Sequence, residues 1–183
     1  MKAPACTAAS EFHYQYGSIV SKPSEQDLQY LRHAIRLSEN ARISGNRPFG
    51  AVLVAAGGEV IGTGQTRAAT DGDLTSHAET NALREASKRV STGEIARATM
   101  YASGEPCPMC AGAIVQLGLR RVVFGVRWQV NRPFMAPPSA QMKPSVSCRD
   151  IFRLAPEPIE VIGPLLEDEA KVPFEAYAAR GSK

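Results

Sequence analysis

The 183-residue sequence has no apolar run that approaches the roughly 20 residues needed to cross a bilayer. Its first residues also lack the apolar core of about 7–15 residues that a secretion signal requires, although Ala5 and Cys6 resemble the end of a lipoprotein signal. The net charge is only +3, which is too small to indicate nucleic-acid binding by itself. We therefore expect a cytoplasmic protein that does not bind membranes.

Cysteine is scarce as well, with four residues in the whole chain. Two of them form a close pair, Cys107 and Cys110, whereas Cys6 and Cys148 stand alone. A cytoplasmic chain of this length needs no disulfide framework, so the pair indicates a metal or redox site. The sequence also contains no internal repeat and no low-complexity tract. Its content of 44% hydrophobic and 21% charged residues is typical of one globular domain.

Residues 1–23 show no hydrophobic periodicity, and we interpret them as an irregular N-terminal arm that precedes a single domain over residues 24–183. In this domain the periodicity predicts helices and strands in the order α-β-β-α-β-α-β-α-β-α. The predicted helices cover residues 24–43, 77–90, 107–118, 148–154 and 166–179, and the predicted strands cover 49–56, 60–64, 100–103, 121–126 and 159–162. Such alternation is typical of an α/β protein in which helices cover both faces of a sheet.

Two segments show no periodicity and are predicted as loops. Residues 65–75 are polar and rich in turn-forming residues. Residues 127–147 contain four prolines and form the longer predicted loop. A loop of this length within a compact domain is often functional.

The residues that carry chemistry lie where two predicted helices begin. The segment HAE (residues 77–79) opens one helix, and the segment PCPMC (residues 106–110) opens the next. Cys107 and Cys110 are one helical turn apart, so their sulfurs point to the same side. Two thiolates together with the imidazole of His77 suit zinc, and a set of three protein ligands is typical of catalytic zinc, which keeps one position for water. We predict one Zn²⁺ per chain at this site.

Glu79 lies two residues after the predicted ligand His77, and we predict that it carries protons for the attacking water. The combination of H-x-E with P-C-x-x-C is the signature of zinc-dependent nucleobase deaminases, in which this glutamate is the general acid and base. Either part alone is ambiguous, because C-x-x-C also occurs in structural zinc sites and redox motifs.

Other interpretations of the same residues stay open at this point. Glu79 could complete a capping box with Ser76 at the start of the helix. Cys148 could be the fourth ligand of a closed structural zinc site. His13 and His33 are weaker candidates for the same position.

Residues 27–126 resemble the cytidine deaminase superfamily, and within it the branch that holds guanine deaminases and tRNA adenosine deaminases. Besides the zinc motifs, the resemblance rests on the segments RPFGAV (47–52), AETNAL (78–83), EPCPMCAGA (105–113) and RVVFG (121–125). It implies a three-layer α/β/α sandwich with a five-stranded mixed sheet and one catalytic zinc per chain. It also implies a homodimer or a larger assembly.

The resemblance implies four residues that contact the substrate base. The backbone at Ala78 would help to hold the base, and Phe49 would be an apolar neighbour. Thr66 stands where relatives carry an asparagine, and Asn131 lies near the position of an aspartate in guanine deaminases. Because threonine offers only a hydroxyl and asparagine is neutral, we expect base recognition to differ from that of these relatives. We also expect the loop 127–147 to cover the base.

We therefore predict hydrolytic deamination of a free purine-type, guanine-like nucleobase or nucleoside, with release of ammonia. The first alternative is deamination of the wobble adenosine of tRNA, which would need a basic surface. The residues around the long loop that could supply this surface are Arg120, Arg121, Arg127, Arg132, Lys143 and Arg149. A pyrimidine or an s-triazine is a further possible substrate. A non-catalytic, zinc-stabilised binding module is the alternative from another class, and the intact Glu79 argues against it.

Overall fold

Helices and strands alternate along the described part of the chain, which comprises residues 21–135 and 146–180 of a computed structural model. The strands are β1 (Gly50–Val54), β2 (Val60–Gln65), β3 (Thr99–Gly104), β4 (Arg121–Val126) and β5 (Glu160–Ile162). The helices are α1 (Glu25–Ile43), α2 (Ala68–Asp71), α3 (Ala78–Ala86), α4 (Thr92–Ala96), α5 (Pro108–Gln116), α6 (Trp128–Asn131), α7 (Cys148–Phe152) and α8 (Glu167–Ala178). Of the predicted N-terminal arm, only residues 21–23 are described, and they have no regular secondary structure.

The five strands form one mixed sheet in the order β2-β1-β3-β4-β5. Strand β1 is antiparallel to both β2 and β3, whereas β3, β4 and β5 are parallel to one another. The carboxyl ends of β3 and β4 therefore lie side by side, and their amino ends lie side by side at the opposite end of the strands. The predicted five-stranded mixed sheet is confirmed.

Helices pack on both faces of this sheet. Leu53, Met100 and Phe124 face a core that α3, α5 and α7 cover. Val52 and Val123 face the other side, which α1 covers and which α8 extends beside β4. Successive side chains along a strand point to opposite faces of the sheet, so each strand contributes apolar residues to both cores. This is expected for a sheet that is buried on two faces. The predicted three-layer α/β/α sandwich is confirmed.

Helix α1 begins at the cap that the sequence predicts. The amide of Asp27 donates to the hydroxyl of Ser24 at 3.1 Å, and the amide of Ser24 donates to the carboxylate of Asp27 at 2.8 Å. This reciprocal pair is a capping box, which satisfies two donors at the start of the helix. Although α1 is the longest helix, no helix in the described residues is long and apolar enough to span a membrane.

Three predictions of local structure were wrong in detail. The loop predicted over 65–75 contains the short helix α2, and an unpredicted helix, α4, precedes β3. The described part of the loop predicted over 127–147 contains the one-turn helix α6 and a 3-10 turn at Arg132–Phe134. These elements have at most five residues, which is too short for hydrophobic periodicity to show. Residues 136–145 of that prediction lie outside the described residues.

Candidate metal centre and active site

The N-termini of two helices meet beside the carboxyl end of β3. Helix α3 starts with His77 as its N-cap residue, and α5 starts with Cys107 in the same role. Cys110 lies in the first turn of α5 and is buried. Unpaired backbone N–H groups and the positive ends of both helices collect at this point, which favours anionic ligands and thiolates.

Strand β2 lets α3 approach the sheet closely because it carries glycine where it faces the helix. A Cβ atom on Gly64 would lie 2.0 Å from the carbonyl oxygen of Ala78, and one on Gly62 would lie 2.3 Å from that of Ala82. Both distances are far inside van der Waals contact, so no larger residue fits without moving α3. Backbone contact between β2 and α3 thus fixes the start of α3.

The three predicted metal ligands lie together. The His77 Nδ1 atom is 3.4 Å from the Cys107 sulfur and 3.5 Å from the Cys110 sulfur, and the two sulfurs are 3.5 Å apart. A tetrahedral zinc with usual bond lengths separates two sulfur ligands by about 3.8 Å, and a nitrogen from a sulfur by about 3.5 Å. The spacing and chemistry of this donor set therefore fit zinc. Within the described residues, no other group of three potential ligands is found.

The electrostatics of the thiols also suit a metal. A hydrogen bond from Cys110 and a further one from His77 lower the pKa of Cys107 to about 4, against the effect of burial. Donation to Cys107 and burial raise the pKa of Cys110. The pair therefore already holds one thiolate at neutral pH, which is the form that binds zinc.

Glu79 lies in the first turn of α3 and is only 4% exposed. Burial raises the pKa of its carboxyl group to about 7, and the nearby charge of Cys107 acts in the same direction. A group with a pKa near neutrality can both accept and release a proton efficiently. The helix is capped by His77 and Thr80, whose hydroxyl accepts from the His77 amide at 3.2 Å, so the alternative capping box of Ser76 with Glu79 is wrong.

A cavity of about 420 Å³ opens beside this cluster. Its lining combines two of the predicted ligands and the acid with aromatic and apolar side chains. The lining residues are Gly45, Arg47, Phe49, Thr66, Ala68, Ala69, Leu74, His77, Glu79, Glu105, Cys107, Trp128, Met135 and Tyr177. A mostly apolar cavity with a few polar groups beside a metal cluster is suited to a heteroaromatic ring.

The structure brings two of the four predicted base-binding residues into the cavity wall. Phe49 and Thr66 line the cavity, and the Thr66 amide donates to the Phe49 carbonyl at 3.0 Å. Ala78 and Asn131 are fully buried and are not part of the lining. Both polar atoms of the Asn131 side chain lack a hydrogen-bond partner. Its amide nitrogen lies 3.2 Å from the position of a Cβ atom on Gly104, next to the Phe49 ring.

Two lining residues, Trp128 and Met135, belong to the segment 127–147 that was expected to cover the base, although no pattern singled them out. Tyr177 comes from α8 and had no signal in the sequence. Glu105 stands in the motif before Cys107, and its position there was the only available signal. Its carboxylate accepts hydrogen bonds from segments that are distant in sequence, which local patterns do not show.

Cys148 does not join the metal ligands. It is buried in the core with α5 and α7, and its amide donates to Glu105 at 3.2 Å. Burial raises the pKa of its thiol to about 12, which disfavours the thiolate. The closed four-ligand site is therefore not supported. His33 lies on α1 outside the ligand group, whereas His13 and Cys6 lie outside the described residues.

Three of the basic residues considered for an RNA surface are engaged in contacts within the protein. Arg121 pairs with Asp27 and Glu160. Arg127 pairs with Glu167 at 2.8 Å. Arg149 donates to two backbone carbonyls near β5. Lys143 lies outside the described residues.

Comparisons with known proteins agree with this geometry. A family model for the cytidine and deoxycytidylate deaminase zinc-binding region matches residues 24–126. A probable cytosine deaminase from Schizosaccharomyces pombe is 41% identical over 155 residues, which cover 84% of this chain and 93% of the yeast protein. This similarity extends well beyond the metal motifs.

Two further comparisons are narrower. A tRNA-specific adenosine deaminase from Haemophilus influenzae is 40% identical over 102 residues, which cover 56% of this chain and 59% of that protein. The structure of guanine deaminase from Nitrosomonas europaea aligns with a TM-score of 0.69 over 86% of either chain, at 22% identity. The first match is thus partial, and the second supports the fold alone.

Proposed function

This chain belongs to the cytidine and deoxycytidylate deaminase family of zinc-dependent hydrolytic deaminases, and on that premise we propose that its substrate is a free nucleobase or nucleoside. The observation that carries the proposal is the walled cavity beside the ligand cluster and Glu79. Tyr177 of α8 and Trp128 of α6 both stand in that wall. A single heteroaromatic ring can enter such a cavity, and the pairing of Arg121, Arg127 and Arg149 within the protein favours a free base over RNA.

His77, Cys107 and Cys110 hold the zinc in this proposal. When bound there, zinc supplies Lewis acidity, which makes water acidic enough to attack at neutral pH. The chain itself supplies orientation and proton transfer. One zinc per chain is expected, because the three side chains form one cluster.

Glu79 moves the protons. Its carboxylate takes a proton from the attacking water and passes it to the ring nitrogen next to the amino-bearing carbon. As the carbon–oxygen bond forms, the double bond between the amino-bearing carbon and this ring nitrogen becomes a single bond. Glu79 then takes the remaining proton from the newly added hydroxyl group and delivers it to the amino group. The carbon–nitrogen bond breaks as the hydroxyl oxygen becomes the carbonyl of the product, and ammonia leaves. A carboxyl pKa of about 7 suits a group that must act in both directions.

The cavity walls orient the base. Phe49 and Trp128 present aromatic surface to a flat ring, and Thr66 can donate or accept one hydrogen bond. Ala78 is the first residue of α3, so its backbone N–H has no partner within the helix, and we propose that it donates to the base. Asn131 is buried next to the Phe49 ring, and both polar atoms of its side chain lack a partner. We propose that this side chain forms a hydrogen bond with the bound base.

Two substrates remain as candidates within this class. Cytosine is supported by the relative from Schizosaccharomyces pombe, because that similarity covers nearly the whole of both chains. A guanine-like purine is supported by the segments PFG (48–50) and PCP (106–108), which resemble guanine deaminases. Both bases contain an amino group on a ring carbon that is double-bonded to nitrogen, so the same chemistry serves both.

Ammonia release from a panel of substrates tests the proposal. The panel contains cytosine, guanine, cytidine, guanosine, an s-triazine and a tRNA with a wobble adenosine, each offered to the zinc-loaded protein. We expect kcat/KM to be at least about 100-fold higher for one free base or nucleoside than for the tRNA. Turnover of the tRNA alone would refute the proposal, and bound zinc without turnover of any substrate would favour a binding module. A homodimer, which the family resemblance implies, is tested separately by sedimentation.

A further inference from the structure

Glu105 connects three parts of the molecule at the edge of the cavity. It lines the cavity two residues before Cys107 and is only 7% exposed. Its carboxylate accepts hydrogen bonds from the Trp128 amide at 3.3 Å, the Ser147 hydroxyl at 2.6 Å and the Cys148 amide at 3.2 Å. One side chain therefore holds the start of α6 and the start of α7 against the end of β3.

Helix α6 depends on such an external partner. It has one turn, and its N-cap residue Arg127 makes no side-chain hydrogen bond to the helix. The guanidinium of Arg127 is instead paired with Glu167. A single turn is not stable by itself, and its first amides need acceptors. Glu105 supplies the acceptor for Trp128, the first residue of α6.

Trp128 links the Glu105 hydrogen bond to the wall of the cavity. Its side chain lines the cavity, and its indole N–H is buried without a partner. The ring packs against the cluster of Val126, Met135, Ala170 and Phe174. An unpaired buried donor is rare in native proteins, and a wall that carries one is suited to a ligand with an acceptor.

We infer that Glu105 is a positioning residue: it holds Trp128 in the cavity wall and thereby sets the affinity for the base. This inference rests on the proposed function, because it requires the base to occupy this cavity. Glutamine at position 105 would keep the size of the side chain. A glutamine side chain has only one acceptor oxygen, whereas the Glu105 carboxylate has two and accepts from three donors. In the variant, the amide nitrogen would face one of these donors, and at least one hydrogen bond would be lost.

The first measurement needs no turnover. Trp128 is the only tryptophan in the chain, so intrinsic fluorescence reports on it alone. In the zinc-loaded Glu105→Gln protein we expect red-shifted emission and stronger quenching by acrylamide, because the ring leaves its apolar contacts. Ser147→Ala, which removes one of the three hydrogen bonds, should give a smaller shift in the same direction and covers the case that Glu105→Gln does not fold.

Glu85→Gln is the matched control. Glu85 also accepts from a backbone amide and a hydroxyl of another element, both from Thr63, but it does not line the cavity. In the Glu85→Gln protein we expect neither the emission of Trp128 nor the kinetic constants for the bases to change.

The second measurement is the kinetic constants for cytosine and guanine. For the better of the two bases, Glu105→Gln should raise KM about tenfold while kcat stays within about threefold and zinc content is unchanged. In a Trp128→Ala background, the same change should have little further effect on KM, because the side chain that Glu105 positions is then absent.

The outcomes distinguish a failure of the positioning role of Glu105 from a failure of the proposed function. Unchanged emission in Glu105→Gln, or an effect on KM that persists in full without Trp128, overturns the positioning role. A loss confined to kcat or to zinc content overturns it as well. If neither base is deaminated, the proposed function fails for these bases, and the emission still decides whether Glu105 holds Trp128.

Discussion

Two buried carboxylates at opposite ends of strands β3 and β4 have opposite surroundings. Asp27, near the amino ends, is 2% exposed, and Glu79, near the carboxyl ends, is 4% exposed. Asp27 accepts hydrogen bonds from Tyr101 at 2.8 Å and from the guanidinium of Arg121 at 2.7 and 2.9 Å. Burial acts to raise the pKa of Asp27, yet Arg121, Ser24 and Tyr101 hold it well below the usual range.

Glu79 shows what burial does when no guanidinium group pairs with the carboxylate. The same desolvation raises its pKa to about 7, and the neighbouring thiolate adds to the effect. Burial therefore does not decide the charge of a carboxyl group, because its partners do. The amino-end network is a group of satisfied charges that stabilises the fold. The carboxyl-end cluster instead combines a carboxyl group of raised pKa with three potential metal ligands, which is typical of a site for chemistry.

The largest test removes the metal from the carboxyl end. Cys107→Ser replaces a thiolate by a far poorer zinc ligand, so we expect loss of the zinc and of all measurable deaminase activity. Metal analysis and an ammonia assay check this. Cys148→Ala is the matched control, since it removes a buried thiol that lies outside the ligand group. Full zinc occupancy in Cys107→Ser would contradict the assigned ligand set.

The next test removes only the proton carrier. Glu79→Gln keeps the size of the side chain but cannot exchange a proton, so kcat should fall by about 10⁴-fold, at the upper end for general acid–base help. Zinc content and melting temperature should stay close to the wild-type values. Near-normal turnover in this variant would show that another group moves the protons.

Asp27→Asn tests the amino end and should affect stability rather than catalysis. Removing Asp27, the more buried of its two charged partners, leaves Arg121 with Glu160 alone, so we expect the free energy of unfolding to fall by about 2–4 kcal/mol at pH 7. Because the folded-state pKa of Asp27 is depressed, its contribution is complete above about pH 4, the unfolded value, and is lost as the pH falls further. The difference between the two proteins should therefore shrink in acid.

Chemical denaturation from pH 7 down to pH 3 measures this difference. Asp168→Asn is the control, because Asp168 forms an exposed ion pair with Lys171 and should show no measurable change. A difference in stability that is the same at pH 7 and pH 3 would contradict the role of the Asp27 charge.

The smallest expected effect concerns substrate preference at the carboxyl end. Thr66→Asn combined with Asn131→Asp brings both positions closer to the pattern of guanine deaminases. We expect the ratio of kcat/KM for guanine to that for cytosine to rise about 10- to 100-fold, because an unpaired hydrogen-bonding group in a binding site is costly. An unchanged ratio would show that these positions do not set specificity.

The metal site could be predicted from the sequence because its chemistry depends on local spacing. Cys107 and Cys110 are one turn apart, and His77 and Glu79 open a helix, so a short pattern specifies most of the cluster. The five strands were predicted for a related reason, since each carries its own apolar pattern. The mixed character of the sheet came from the family resemblance instead, and the order of its strands was not predicted.

The cavity wall could not be predicted in the same way. Trp128 lies in a one-turn helix whose acceptor, Glu105, is on another strand, and Tyr177 reaches the cavity from the last helix. Such contacts depend on tertiary packing between segments that are far apart in the chain. The unpaired amide of Asn131 is a further case, because only the folded structure shows that no partner is available.

The glycines of β2 have a consequence for how this enzyme can diverge. Since α3 rests on bare backbone at Gly64, no side-chain conformer lies between the sheet and the start of the helix that carries the metal ligand. At this contact, a change of rotamer or residue size elsewhere in the core cannot shift the start of α3 through an intervening side chain. The side chains of α6 and α8 that shape the cavity are attached to other elements. Mutation of these side chains can therefore reshape the substrate range without acting on the contact that holds His77 and Glu79 in place.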